Sequence, residues 1–212
     1  MSVASNTSAY STTEEWLNSI SHGVGFIIAV FGLVYIVLKA DNILEIAATS
    51  IYSSSLLMML LTSTLYHSVR NAKAKKTLKL LDHSAIYLLI AGTNTPFLLI
   101  TIGGQLGVGL TIAIWCLAVF GVSFKCWAKG RYPKVSVATY LLMGWFALLI
   151  IYPLYNALPS AGFWLLVAGG VFFNIGVLFY VAKKHKYTHA IWHLFVLAGC
   201  TCHYLSIYLF VI

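Results

Sequence analysis

The chain has 212 residues, 60% of them hydrophobic and only 8% charged, with mean hydropathy +0.89 and formal net charge +8. Soluble domains carry about 25% charged residues, so this composition excludes a water-soluble globular chain and specifies an integral membrane protein. The positive charge sits in short loops between apolar runs, which excludes a nucleic-acid-binding surface.

Residues 1–19 form a short polar segment, Ser/Thr-rich, with Glu14 and Glu15 but no Lys or Arg. A secretory signal needs a basic stretch before its apolar run, so none is expected. A helix needs about 20 apolar residues to cross a bilayer. Residues 20–212 supply seven such segments, roughly 20–38, 46–68, 82–101, 106–124, 135–152, 162–182 and 188–211. Short connections join them, and no repeat or soluble domain interrupts them. The fold class is all-α, a seven-transmembrane helix bundle.

Within the third segment, Ala91-Gly-Thr-Asn-Thr-Pro96-Phe97 places a proline inside the bilayer. It predicts a kink with close helix packing, the carbonyl freed by Pro96 being met by a hydroxyl such as Thr93 or Thr95. Trp16, Trp127, Tyr132, Tyr152, Tyr155 and Trp164 fall near segment ends, as interfacial anchors do. Cys200 and Cys202, two apart on a helix, point about 200° apart and read as packing residues, not metal ligands.

The basic residues orient the bundle. Arg70, Lys73, Lys75, Lys76 and Lys79 separate segments two and three; Lys125, Lys129, Arg131 and Lys134 separate four and five; Lys183, Lys184 and Lys186 separate six and seven. With seven alternating helices these loops share one side, leaving Lys39 alone on the other. The positive-inside rule then puts the N-terminus in the cytosol and the C-terminus outside, in the plasma (inner) membrane.

Against this frame four ionisable residues fall at one depth. His67 ends segment two, Asp82 opens segment three, and His189 and His193 open segment seven. At 1.5 Å per residue all lie roughly 5–10 Å below the basic rim. Ionisable groups at a bilayer centre cost about 2.5–3.5 kcal/mol each, and they normally face the bundle and find partners. His189 and His193, at i and i+4, face the same way. HxxxH spacing alone recurs by chance; the common depth gives it weight. Three imidazoles suit Zn²⁺, with His67, His189 and His193 as ligands and a fourth position open. Asp82 would then orient a ligand histidine or a water, and Ser63 lies one turn deeper on the His67 face.

The other histidines read differently. His22 shares the level and is a candidate contributor. His83 points about 100° from Asp82 on the helix and is expected to face another surface. His185 sits among lysines that repel a cation. His203 lies about 15 Å beyond His193 along the helix, which predicts a hydrogen bond to another helix.

The motifs EEWLNSISHGVG, STLYHS, LDHSAIYLLIAGTNTPF and HAIWHLFVLAGCTCHY together resemble the bacterial hemolysin III proteins, within the progestin and adipoQ receptor family that includes the adiponectin receptors. The resemblance covers nearly the whole chain. It implies seven helices around a zinc ion near the cytosolic face, with ligands at His67, His189 and His193, a supporting serine at Ser63 and the helix-three aspartate at Asp82. Asn94 departs from the pattern, standing where bacterial members tend to carry an aromatic. The long N-terminal domain of the mammalian receptors has no counterpart here, so hormone recognition does not transfer.

Two functions fit. One is a zinc-dependent hydrolase of a lipid amide or ester, ceramidase-like, with Asp82 handling the proton and Ser63 assisting the oxyanion. The other is a non-enzymatic protein of membrane homeostasis, sensing or cytolysis, in which zinc staples helices two, three and seven. Its partners would be membrane lipids, a ceramide-like substrate in the first case. A proton-coupled transporter is a lesser alternative. Segment seven has no lysine after Thr188, which excludes a retinal Schiff base there.

Overall fold

A computed structural model describes residues 10–129, 131–182 and 185–212. Among these residues there are helices and no strand. Seven helices are long and apolar enough to cross a membrane: α1 (Thr12–Lys39), α2 (Ile43–Ser68), α3 (Ala72–Ile102), α4 (Gly104–Ala128), α5 (Pro133–Ala157), α6 (Ser160–Val181) and α7 (Thr188–Phe210). Number and order match the sequence expectation. The chain is an integral multi-pass membrane protein.

The helices start earlier than the apolar spans, and the caps explain why. Ser11 Oγ accepts the Glu14 amide at 3.3 Å while the Glu14 carboxylate accepts the Ser11 amide at 2.9 Å. This reciprocal cap starts α1 at Thr12, within the polar segment, rather than near residue 20. Asn71 Oδ1 likewise accepts from the Lys73 and Ala74 amides and starts α3 at Ala72, well before Asp82. At the far end of α3 the backbone reverses through Gly103 and Gly104, both at positive φ (64° and 58°), where a Cβ would be strained.

Pro96 ends the α-helical part of α3, and the chain continues as a π-helix over Phe97–Ile102. Proline removes one donor from the ladder, which breaks the α-helical pattern there. Thr95 Oγ1 donates at 2.9 Å to Ala91 O. That is one residue short of the Gly92 carbonyl that Pro96 leaves free, so the expectation for Thr95 is corrected. Thr95 instead joins helices, accepting from Trp115 Nε1 of α4 at 3.1 Å.

Polarity is distributed as lipid solvation demands. Ile28, Phe31, Leu38, Phe120, Leu149 and Trp164 are exposed, whereas Asn18, His22, Thr49, Ser63, Thr95 and Ser206 are buried. All six aromatic residues expected as interfacial anchors are exposed. Close packing is explicit at Gly92, where an added Cβ would collide with Ser55 Cβ and Oγ of α2. Gly92→Ala is therefore expected to destabilise the bundle by about 1–3 kcal/mol, read as a lower melting temperature in detergent; an unchanged melting curve would contradict this packing.

The helices run up and down. Glu14 and Glu15 near the start of α1 reach Tyr187, just before α7, and Lys75 at the start of α3. Lys39 at the end of α1 bonds the Tyr208 carbonyl near the end of α7. The basic residues from Arg70 to Lys79, Arg131 to Lys134 and Lys186 therefore share one end, opposite Lys39, although Lys73, Lys75, Lys76 and Lys79 lie on the first turns of α3 and not in a loop. Lys183 and Lys184 lie outside the described residues. Lys125, expected in a loop, is instead buried on α4, donating to Ser136 Oγ at 3.0 Å, because α4 extends to Ala128. The contacts that position the site are those of α1, which packs against both α2 and α7.

Candidate metal centre

At the basic end of the bundle, His67 lies one residue before the end of α2, and His189 and His193 lie on the first two turns of α7. The structure brings these three together: one nitrogen from each lies within 4.8 Å of the others. His67 Nε2 and His189 Nε2 are 3.3 Å apart. A tetrahedral site with metal–nitrogen bonds of about 2.0–2.1 Å puts its donors about 3.3 Å apart, so this pair already has the spacing of two ligands. The imidazoles come from two helices; α3 contributes none.

Hydrogen bonding settles which ring nitrogens are free. His193 Nδ1 lies 3.1 Å from the Asn18 carbonyl oxygen. A carbonyl can only accept, so Nδ1 carries the proton and Nε2 keeps its lone pair. That Nε2 is buried with no hydrogen-bond partner, on a residue with no exposed surface. An orphaned, buried imidazole nitrogen beside two others is the donor set a divalent cation with nitrogen preference fits. His67 Nδ1 lies 2.6 Å from Glu15 Oε2, and the Asn18 amide lies 3.4 Å from the same nitrogen.

Helix α1 therefore builds the support of the site; the sequence offered His22 as a contributor but gave Glu15 and Asn18 no place in it. Glu15, Asn18 and His22 recur at i, i+3 and i+7, a polar stripe on a helix that is otherwise apolar over most of its length. That periodicity was the available signal. Ser21 Oγ adds a contact to His193 Nδ1 at 3.2 Å. His22 is present, but as a stacked ring on His193 (centroids 3.7 Å apart, planes at 10°) and not in the ligand group. Tyr10, just ahead of α1, stacks on His189 at 4.7 Å. Burial raises its phenol above the usual tyrosine range, so it adds no negative charge.

Asp82 and Ser63 are both buried, and neither belongs to the ligand group. The Ser63 hydroxyl is buried without a hydrogen-bond partner. One expectation changes: the carboxylate that meets a ligand histidine is Glu15, because α1 starts early enough to lie beside His67. Asp82 instead has Oδ2 3.5 Å from His83 Nδ1. His83 therefore does not turn wholly away; it also contacts Lys79 O at 2.7 Å and Tyr180 Oη at 3.4 Å. His203 bonds Leu166 O of α6 at 3.1 Å, the expected interhelical role. His185 is exposed.

Comparison with known proteins agrees with the motifs. The model of the family described as Haemolysin-III related matches residues 10–204. The chain belongs to the haemolysin III family. It is 42% identical to Hemolysin-3 of Bacillus cereus over 202 residues, covering 94% of this chain and 92% of that one. It is also 42% identical to the Hemolysin-3 homolog of Bacillus subtilis over 193 residues, covering 90% and 91%. A more distant likeness, 27% over 201 residues, covering 92% and 83%, is to the human monocyte to macrophage differentiation factor. That likeness places this haemolysin III protein within the wider progestin and adipoQ receptor family.

Proposed function

We propose that the protein is a zinc-dependent hydrolase of a lipid amide or ester, ceramidase-like in substrate class, in the bacterial inner membrane. The observation that supports this most is the count of donors. Three imidazoles converge, and no fourth His, Cys, Asp or Glu joins them among the described residues. Structural zinc is usually closed by four protein ligands, whereas catalytic zinc keeps a position open.

A zinc ion held there supplies Lewis acidity, polarising a carbonyl and bringing the pKa of water to about 7. His67, His189 and His193 would hold it, with Nε2 of His67 and of His193 turned to it by the contacts that α1 makes at their Nδ1 atoms. Asp82 takes the proton from the attacking water. The water oxygen bonds to the carbonyl carbon, the carbon–nitrogen or carbon–oxygen bond breaks, and Asp82 returns the proton to the leaving amine or alkoxide. Ser63 Oγ, unpartnered in the structure, donates to the carbonyl oxygen as charge develops. Release of fatty acid from short-chain ceramides and other acyl lipids by the purified chain, abolished by a chelator and restored by zinc, is the expected result. Stoichiometric zinc without turnover of any lipid would sink the reading.

Orientation belongs to the same proposal. The site and the basic loops share one end of the bundle, which the positive-inside rule assigns to the cytosol. A reporter fused after Ile212 is then expected to be active only if it works outside the cytosol, such as alkaline phosphatase. A C-terminal green fluorescent protein that matures brightly would reverse the orientation.

A second reading has its own support. α2 and α7 share little direct backbone contact and are joined mainly through α1. A cation between His67 and the α7 pair would staple those two helices, not the three expected from sequence. Zinc would then serve a non-enzymatic protein of membrane homeostasis, sensing or cytolysis, and its removal would lower the melting temperature without any catalytic loss.

A further inference from the structure

We propose that Glu15 is the positioning residue that prepares His67 for metal, with Lys75 holding Glu15 in place. This rests on the metal centre proposed above but not on hydrolysis. An imidazole binds a cation only through an unprotonated nitrogen, and a free ring divides between two tautomers. Glu15 Oε2 lies 2.6 Å from His67 Nδ1, the spacing of a charge-assisted hydrogen bond. An ionised carboxylate can only accept, so Nδ1 carries the proton. Nε2, 3.3 Å from His189 Nε2, presents its lone pair to the other donors.

Glu15 is itself fixed from its other oxygen. Oε1 lies 2.5 Å from Lys75 Nζ, and that ammonium also sits over the ring of Tyr66, the residue before His67. Lys75, Glu15 and His67 thus form a chain across α3, α1 and α2. His193 is prepared differently, through the backbone carbonyl of Asn18, which no side-chain substitution removes. Glu15 is therefore a selective handle on one ligand. It also places a negative charge in contact with a ligand ring, which raises the ring's basicity toward a cation.

The test uses the full chain in detergent, with zinc affinity measured by competition against a chromogenic chelator. Glu15→Ala is expected to weaken zinc about 10–100-fold. Glu15→Gln, whose amide oxygen still accepts but lacks charge, is expected to fall between it and wild type, and Lys75→Met to weaken zinc less than Glu15→Ala. The cobalt(II)-loaded protein provides a signature that general loss of packing would not give: its visible ligand-field bands are expected to shift in Glu15→Gln at unchanged helix content. If Glu15→Ala fails to fold, Glu15→Gln and Lys75→Met decide the matter. Affinities within about twofold of wild type with an unchanged cobalt spectrum would overturn the role of Glu15 alone. Weakened zinc accompanied by lost helix content and an unshifted spectrum would also overturn it. A wild-type chain that binds neither metal would overturn the metal centre, and this proposal with it.

Discussion

His189→Ala is expected to abolish stoichiometric zinc binding while the seven-helix bundle stays folded. Zinc sites with four protein ligands bind with about 10–16 kcal/mol, roughly 3 kcal/mol per ligand. Losing one of only three donors then weakens affinity by more than about 100-fold. His189 is less buried than His193, although its ring also touches Tyr10, Tyr180 and Trp192, so truncation costs less packing there than at His193. His193→Ala differs in an informative way. Its ring has no exposed surface, stacks on His22 and bonds the Asn18 carbonyl. Removing it loses zinc and also leaves a cavity against the buried His22 ring, at an added cost on the order of a few kcal/mol. Metal analysis and thermal melting on the two variants separate these effects. One zinc per chain surviving in His189→Ala would mean that the cation binds elsewhere.

The largest effect on turnover is expected at Asp82. Asp82→Asn keeps the shape of the side chain but cannot take a proton, so hydrolysis should fall about 10²–10⁴-fold. Zinc content should not change, because Asp82 stands outside the three-histidine group. This pairing of lost turnover with retained metal is what distinguishes a proton-handling group from a ligand. It is checked by fatty-acid release and zinc stoichiometry on the same preparation. A variant that turns over at the wild-type rate would leave Asp82 with a structural part only, held beside His83.

Much of this was readable from residues because the bilayer imposes simple rules. Hydropathy separates seven spans, loop lysines and arginines sort the ends, and polar side chains within spans are rare enough that four at one depth stand out. The three imidazoles the sequence singled out do meet. What escaped depended on α1. The Ser11–Glu14 cap was present as an S-x-x-E pattern, yet residues 1–19 read as a polar segment ahead of the first span. Glu15 and Asn18 consequently had no assigned place beside His67 and His193. Contacts between α1 and α7 join residues more than 170 positions apart, and no local pattern encodes such pairing. Lys125 was misread for a related reason: its charge suggested a loop, but Ser136 of α5 gives its ammonium a buried partner. The π-helix after Pro96 shows the remaining limit. Proline announces a break, whereas the path beyond it is set by neighbouring helices.

The same long-range pairing governs how the molecule is made. Glu15, Asn18 and His67 are made with the first two helices, whereas His189 follows His67 by 122 residues and His193 comes later still. Until that final helix threads into the bilayer beside the first, the nascent chain offers one imidazole of the three. A cation that needs all three imidazoles could be held only once α7 is in place, so a chain truncated before Thr188 is expected to lack the three-histidine cluster.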